Sequence, residues 1–269
     1  MNYSNARLWA VTFFCALATA LTAQDAPTAA SLYNEGLASL KAKDYAKGYE
    51  LMQKAIEAAK PDDENDQKVI RLAKGNGAIA AYYVGTDQRK NGQLDDALAT
   101  FEKGIELNPN QFTNYTGKAL VMEDKGQTAA AVEGFLMAAE VAEKGKKPDK
   151  AEEYIKKAEN YAAVAWGKKQ WDDAIAAADA VLAKKESADA YYYKGAALKE
   201  KGKASDAIEL VEKAITLLAE GEDASKHNFL IGECHESAGN KAAAIEAFKK
   251  VTDAKYKEVA KYKIDNLGS

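Results

Sequence analysis

The sequence predicts an all-α chain: a solenoid of about six helix-turn-helix units in register, closed by a C-terminal capping helix. Three observations carry this. The 269 residues hold only 4 Pro and are dominated by Ala, Lys, Glu and Leu, side chains that lose little freedom in a helix. Hydrophobic residues make up 47% and charged residues 29%, enough apolar surface for a packed core. One phrase also returns six times along the chain.

The start of the chain is set aside first. Leu8 to Leu21 is an apolar run behind Arg7, followed by small residues up to Ala23. This is the layout of a secretory signal peptide over 1–23. The run is shorter than the roughly 20 residues a bilayer-spanning helix needs, so no membrane insertion is expected after cleavage. The remaining chain has 36 basic against 41 acidic side chains, net −5. A mildly acidic, mixed surface offers no footprint for nucleic acid. Cys15 leaves with the leader, so Cys234 stands alone and no internal disulfide forms. Stability then rests on helix packing.

The recurring phrase reads KDYAKGYELMQKAI from 43, GQLDDALATFEKGI from 92 and GQTAAAVEGFLMAA from 126. It continues as KQWDDAIAAADAVL from 169, GKASDAIELVEKAI from 202 and GNKAAAIEAFKKVT from 239. A small residue recurs as Gly48, Ala97, Ala131, Ala174, Ala207 and Ala244. Four positions on stand Met52, Phe101, Phe135, Ala178, Val211 and Phe248. Three further on come Ala55, Gly104, Ala138, Val181, Ala214 and Val251. Steps of four and three keep one face of a helix, so each phrase is an amphipathic helix opened by a turn. Seven residues before four of the turns lies a glycine: Gly36, Gly85, Gly195 and Gly232; Ala119 and Ala162 replace it in the third and fourth units. Pro109 follows the second phrase in IELNPN.

This pattern resembles the tetratricopeptide repeat, whose second helix carries A-x3-F and whose unit closes on Pro. The resemblance covers residues 29–258, with units at about 29–62, 78–111, 112–145, 155–188, 188–221 and 225–258. It implies a right-handed superhelix whose first helices line a concave groove for a peptide or partner protein. The segment 254–267 is expected to cap the stack, with Tyr256, Val259, Tyr262 and Ile264 as its apolar stripe. PDDEND at 61–66 is a loop before an unusually long first helix in the second unit, where Gly75 and Gly77 are candidate kinks. GKKPDK at 145–150 is a second inserted loop.

Chemistry is sparse. His227 and His235 point about 80° apart on a helix, and nothing near Cys234 completes a metal site. Cys234 reads as a small buried side chain. No phosphate loop, serine elbow or zinc helix occurs. The acid pairs Asp95–Asp96, Asp172–Asp173 and Glu152–Glu153 stand near helix starts, where they complement the dipole. No catalytic residue, metal or cofactor is therefore expected. Counting from the glycines, the resemblance implies groove-side positions at Tyr33, Tyr82, Arg89, Trp166, Tyr192, Lys199 and Phe229. Aromatic residues suit a repeat core as well as a binding hot spot, so packing between units is an equal reading for several of the seven. Trp171 is read as structural. Family members that clamp a chaperone's C-terminal carboxylate carry Lys and Asn on successive groove positions. Here those places hold Tyr33 and Leu37, Tyr82 and Thr86, and Tyr192 and Ala196, so that clamp is absent.

The expected role is a non-enzymatic scaffold for a protein partner. The alternative is a binder of carbohydrate or another small ligand through groove aromatics. The exported, Ala- and Lys-rich style is similar to tetratricopeptide proteins of Gram-negative bacteria, which makes the periplasm the expected place.

Overall fold

In the computed structural model, residues 26–268 are described; the expected leader, 1–23, lies outside them. Thirteen α-helices and no strand occur among the described residues. They form six consecutive hairpins. The first three are α1 (Ala29–Lys41) with α2 (Tyr45–Ala58), α3 (Glu64–Lys90) with α4 (Leu94–Leu107), and α5 (Phe112–Asp124) with α6 (Thr128–Lys144). Then come α7 (Pro148–Gly167) with α8 (Trp171–Leu182), α9 (Ala188–Glu200) with α10 (Ala204–Thr216), and α11 (Ser225–Ser237) with α12 (Lys241–Lys249). Helix α13 (Ala254–Gly268) packs on the last hairpin.

The six turns share one device. The residues opening the six phrases, Lys43, Gly92, Gly126, Lys169, Gly202 and Gly239, all have φ between 60 and 78°. The next amide then donates back across the helix end at 2.8–2.9 Å, from Asp44 to the Ser39 carbonyl through to Asn240 and His235. This left-handed stop satisfies a carbonyl that would otherwise lack a partner. Glycine adopts it freely, whereas Lys43 and Lys169 do so against the steric preference of a side chain.

Every small, large and third position of the phrase is buried, from Gly48, Met52 and Ala55 to Ala244, Phe248 and Val251. The glycine of the first helix makes room for the large residue of the second. A Cβ on Gly85 would lie 2.8 Å from Phe101, on Gly195 2.7 Å from Val211, and on Gly232 2.5 Å from Phe248. Where alanine replaces that glycine, the second helix gives way instead. Ala119 meets Gly134, whose Cβ would come within 2.8 Å of it, and Ala162 shares its buried cluster with Ala178. The close approach of the two helices is thus kept in all six hairpins by redistributing bulk.

First helices pack on first helices along α1–α3–α5 and again along α7–α9–α11–α13. Between these runs α5 and α7 do not pack backbone to backbone, and α6 packs on α8 instead. Side chains bridge the gap: Phe112 meets Tyr154 at 6.0 Å, and the Lys157 ammonium reaches the Glu123 carboxylate at 4.0 Å. Longer α6 and α7, built around the GKKPDK turn, cause this offset.

Two sequence expectations change. Helix α3 is continuous through Gly75 and Gly77. In α13 the inward stripe is Tyr256, Ala260, Ile264 and Leu267, while Val259 and Tyr262 face outward. Steps of four, four and three follow the helical period more closely than the stripe read from the sequence.

Candidate functional site

Helix α3 is the longest among the described residues at 27 residues, started by Asp63, whose carboxylate accepts from the Asn65 and Asp66 amides. One arc of it is small: Ala73, Gly77, Ala78, Ala80, Ala81 and Gly85 are buried. Ala73 packs among Leu51, Met52 and Ala55 of α2, and Gly85 lies under Phe101 of α4, so this arc faces the second helices. On its flanks α3 is tied to both neighbours. The Asn76 amide donates to the Tyr33 hydroxyl of α1 at 3.1 Å. Arg89 donates twice to the Asp124 carboxylate of α5, at 2.6 and 3.2 Å, and Asn114 of α5 donates to the Ala78 carbonyl at 2.9 Å.

The remaining face is open, and it is apolar. Leu72, Ile79 and Tyr83 are 39, 42 and 42% exposed. Steps of seven and four place them within about 40° of one another on the helix. The stripe ends in a cleft of about 580 Å3 lined by Tyr83, Thr86 and Lys90 of α3 and by Lys43, Asp44 and Tyr45 at the first turn. Tyr45 and Tyr83 stack there with centroids 4.0 Å apart. The arrangement offers three apolar side chains in a row and a polar end, which suits adhesion to an apolar segment more than bond-making.

The seven groove candidates are each engaged with a neighbouring element. Tyr33 holds Asn76, as above, and Arg89 holds Asp124. Tyr82 tilts against Phe101 at 6.4 Å. Trp166 packs on Tyr193 at 6.0 Å with its indole nitrogen buried. Tyr192 meets His227 edge-on at 5.0 Å beneath the Lys226 ammonium, and burial raises its hydroxyl pKa. Burial pulls the Lys199 ammonium down, but Glu200 and Glu233, each 3.0 Å away, more than offset this and leave its pKa raised. Phe229 fits between Phe248 and Tyr256, both at 5.5 Å. The structure brings Trp166 and Tyr192 into one cluster and spreads the other five over α1, α3, α9 and α11. Leu72, Ile79 and Tyr83 were not singled out by counting from the glycines. Their signal was present nonetheless, as large apolar residues opposite an Ala/Gly arc on one long helix.

Most of the other residues singled out in the sequence are packed or paired. Cys234 and His227 are fully buried, seven residues apart on α11; burial pushes the thiol up to about 11 and the imidazole down to about 4. Asp95 takes the Lys125 ammonium and Asp172 that of Lys201, so one acid of each pair links its helix to the next turn. Glu152 and Glu153 lie a turn inside α7 and pair along it with Lys156 and Lys150. Trp171 packs with Ala165, Ala174 and Ala197. Among the described residues no group of three or more His, Cys, Asp or Glu is placed to hold a metal, and no helix is long and apolar enough to cross a membrane.

Stacked hairpins joined through one continuous seam define a helical repeat protein of the solenoid class. Family models for the tetratricopeptide repeat match residues 162–222 and 214–256, and another matches 88–111. The chain thus carries tetratricopeptide repeats over residues 88–111 and 162–256. No curated protein matches it in sequence. Among solved structures it is similar to the MamA protein, with 23% identity over 70% of this chain and 96% of that one, at a TM-score of 0.39. It is also similar to a tetratricopeptide repeat protein from Parabacteroides merdae, with 16% identity over 90% and 99% at 0.36. A third is the TPR2AB domain of yeast Sti1 in complex with pHSP90, with 17% identity over 90% and 98% at 0.36.

Proposed function

We propose that this chain is a non-enzymatic scaffold that holds a protein partner by an apolar segment laid along α3. The observation that carries this is the Leu72–Ile79–Tyr83 stripe, open to solvent between α1 and α5 and leading into the Tyr45–Tyr83 cleft. Repeat arrays present extended surfaces of this kind, and their exposed apolar patches are interaction sites. Covering the exposed parts of three such side chains contributes about 2–3 kcal/mol, which suits a segment gripped at several further points. The apolar run from Leu8 to Leu21 supports a place of action in the cell envelope, with the periplasm as our reading.

The test is site-specific photocrosslinking from position 79 in cells, followed by mass spectrometry, with position 82, half-buried against Phe101, as the control. One partner should crosslink from 79. Ile79→Lys should reduce its retention by about tenfold, since it places a charge in the apolar contact, and should leave the melting temperature unchanged. A partner retained equally by Ile79→Lys and Tyr83→Ala would remove α3 from the interface.

A further inference from the structure

The opposite side of the array carries a second feature. Among the second helices only α6 and α8 pack directly on each other, whereas α4 and α6 stand apart. The space between them is a groove of about 530 Å3. Its floor is apolar: Ile105 from α4, Tyr115 and Met122 from α5, and Met137 from α6. Met137 is 46% exposed, more than any apolar side chain of α3. Two unbranched thioethers give this floor an adaptable shape that accepts varied apolar side chains.

The rim is predominantly acidic. Glu102, Glu106 and Glu133 border the groove against a single cation, Lys118. The Lys118 ammonium is held by Glu102 at 2.7 Å. Glu106 has Lys103 at 2.8 Å, which stands outside the groove, and Glu133 has no ion-pair partner among the described residues. The lining therefore carries a net charge of −2 around an apolar floor.

We propose that the α4/α6 groove is a second docking site, for a protein segment that presents a large apolar side chain beside a lysine or arginine. The apolar side chain enters between Met122 and Met137, and its neighbouring cation meets Glu133. A groove of this volume accommodates two or three side chains, within the range of about 300–1,000 Å3 typical of ligand sites. Electrostatic complementarity sets the class of partner here, because an acidic segment would face the unpaired Glu133 and a lining of net charge −2. The site lies on the second-helix layer and α3's stripe on the first, so both can be filled together. It stands independently of the role given to α3.

The probes are two labelled eight-residue peptides, each with two central leucines, flanked by lysines in one and by glutamates in the other. Fluorescence anisotropy on the full chain should show saturable binding of the lysine peptide, about tenfold tighter than the glutamate peptide. Met137→Lys should weaken it about tenfold and Glu133→Gln by a smaller factor, while Ile79→Lys on the other layer should leave it unchanged. Absence of saturable binding, equal affinity for the two peptides, or loss through Ile79→Lys but not Met137→Lys would each overturn the proposal. Both groove positions are solvent-facing, and circular dichroism of each variant separates loss of binding from loss of fold.

Discussion

Helices α3 and α9 occupy the same layer and obey the same glycine rule, with Gly85 and Gly195 each set against a large residue of the following helix. Their outer faces differ. On α9, Tyr192 is covered by His227 and Lys226, Tyr193 by Trp166, and Lys199 is held by Glu233. On α3, Leu72, Ile79 and Tyr83 remain open although the flanks of the helix are tied to α1 and α5. The repeat rule thus fixes how a hairpin closes, while the length and register of the first helix decide whether its outer face is used by a neighbour. A 27-residue helix between two 13-residue ones leaves Leu72, in its N-terminal extra turns, beyond the reach of either. Three ways of changing the molecule probe that contrast, from the largest effect to the smallest.

The largest concerns what holds α3 in place. Phe101 is fully buried, and glycines on both adjacent first helices give it room: a Cβ on Gly85 would stand 2.8 Å from its ring and on Gly117 2.2 Å. Phe101→Ala should cost about 3–5 kcal/mol, because it opens a cavity between α3, α4 and α5 that rigid backbones refill poorly. Hydrogen exchange should quicken in those three helices and much less in α11 and α12, since an array transmits stability mainly to neighbours. Uniform acceleration along the whole chain would mean that the two halves are one cooperative unit.

In the α7–α9–α11–α13 run a buried imidazole links stability to acid. Both histidines of the chain lie in α11, and His227 is fully buried with neither ring nitrogen hydrogen-bonded. Burial lowers its pKa to about 4, with Lys226 adding to the effect and Asp189, Glu222 and Asp223 opposing it. The folded chain thus refuses a proton that the unfolded chain accepts below its ordinary value near 6.5. The stability in question is fully present above that pH and is lost as the pH falls toward 4, by about 3 kcal/mol. His227→Leu should remove this component and leave the rest of the acid titration as in the wild type. Exchange protection in α9 and α11, followed from pH 7 to 4, checks it; equal slopes in wild type and variant would show that the imidazole is already accessible to protons.

The contrast between the halves also marks what was readable from sequence. The turns and the second-helix stripe were readable, because each depends on a local requirement: a left-handed residue at Gly92 or Gly202, and bulk at every fourth position. Even Lys43 and Lys169, which lack glycine's freedom, hold the turn conformation at the expected places. The outer face of the first helices was not readable in the same way. Tyr82 and Tyr83 are adjacent, yet one packs toward Phe101 and the other is open to solvent. About 100° of helix rotation separates them, and the direction of the neighbouring helix decides which is covered. That direction depends on how whole hairpins sit on one another, which α3's extra turns and the α6–α8 packing alter. The same holds in α13, where Val259 and Tyr262 fit an apolar stripe on paper but the last hairpin receives Ala260 and Leu267.

The smallest effect separates the stability of α3 from its use. Of its three glycines, Gly85 is required by Phe101, and Gly77 has Leu107 at 3.2 Å and Met52 at 3.4 Å from the site of a Cβ. Gly75 has nothing within 4 Å and lies beside the open stripe, between Leu72 and Ile79. Helix propensity alone favours alanine there, so Gly75→Ala should stabilise the α3 hairpin by about 0.5–1 kcal/mol, read as slower exchange in that helix. A glycine that weakens a long helix without serving any internal contact calls for a reason outside the helix. Close approach of a partner's backbone supplies one, and then Gly75→Ala should gain stability and lose retention of the partner crosslinked from position 79. If alanine improves stability and leaves retention unchanged, the partner keeps to the ridge of Leu72, Ile79 and Tyr83 and does not reach the helix backbone.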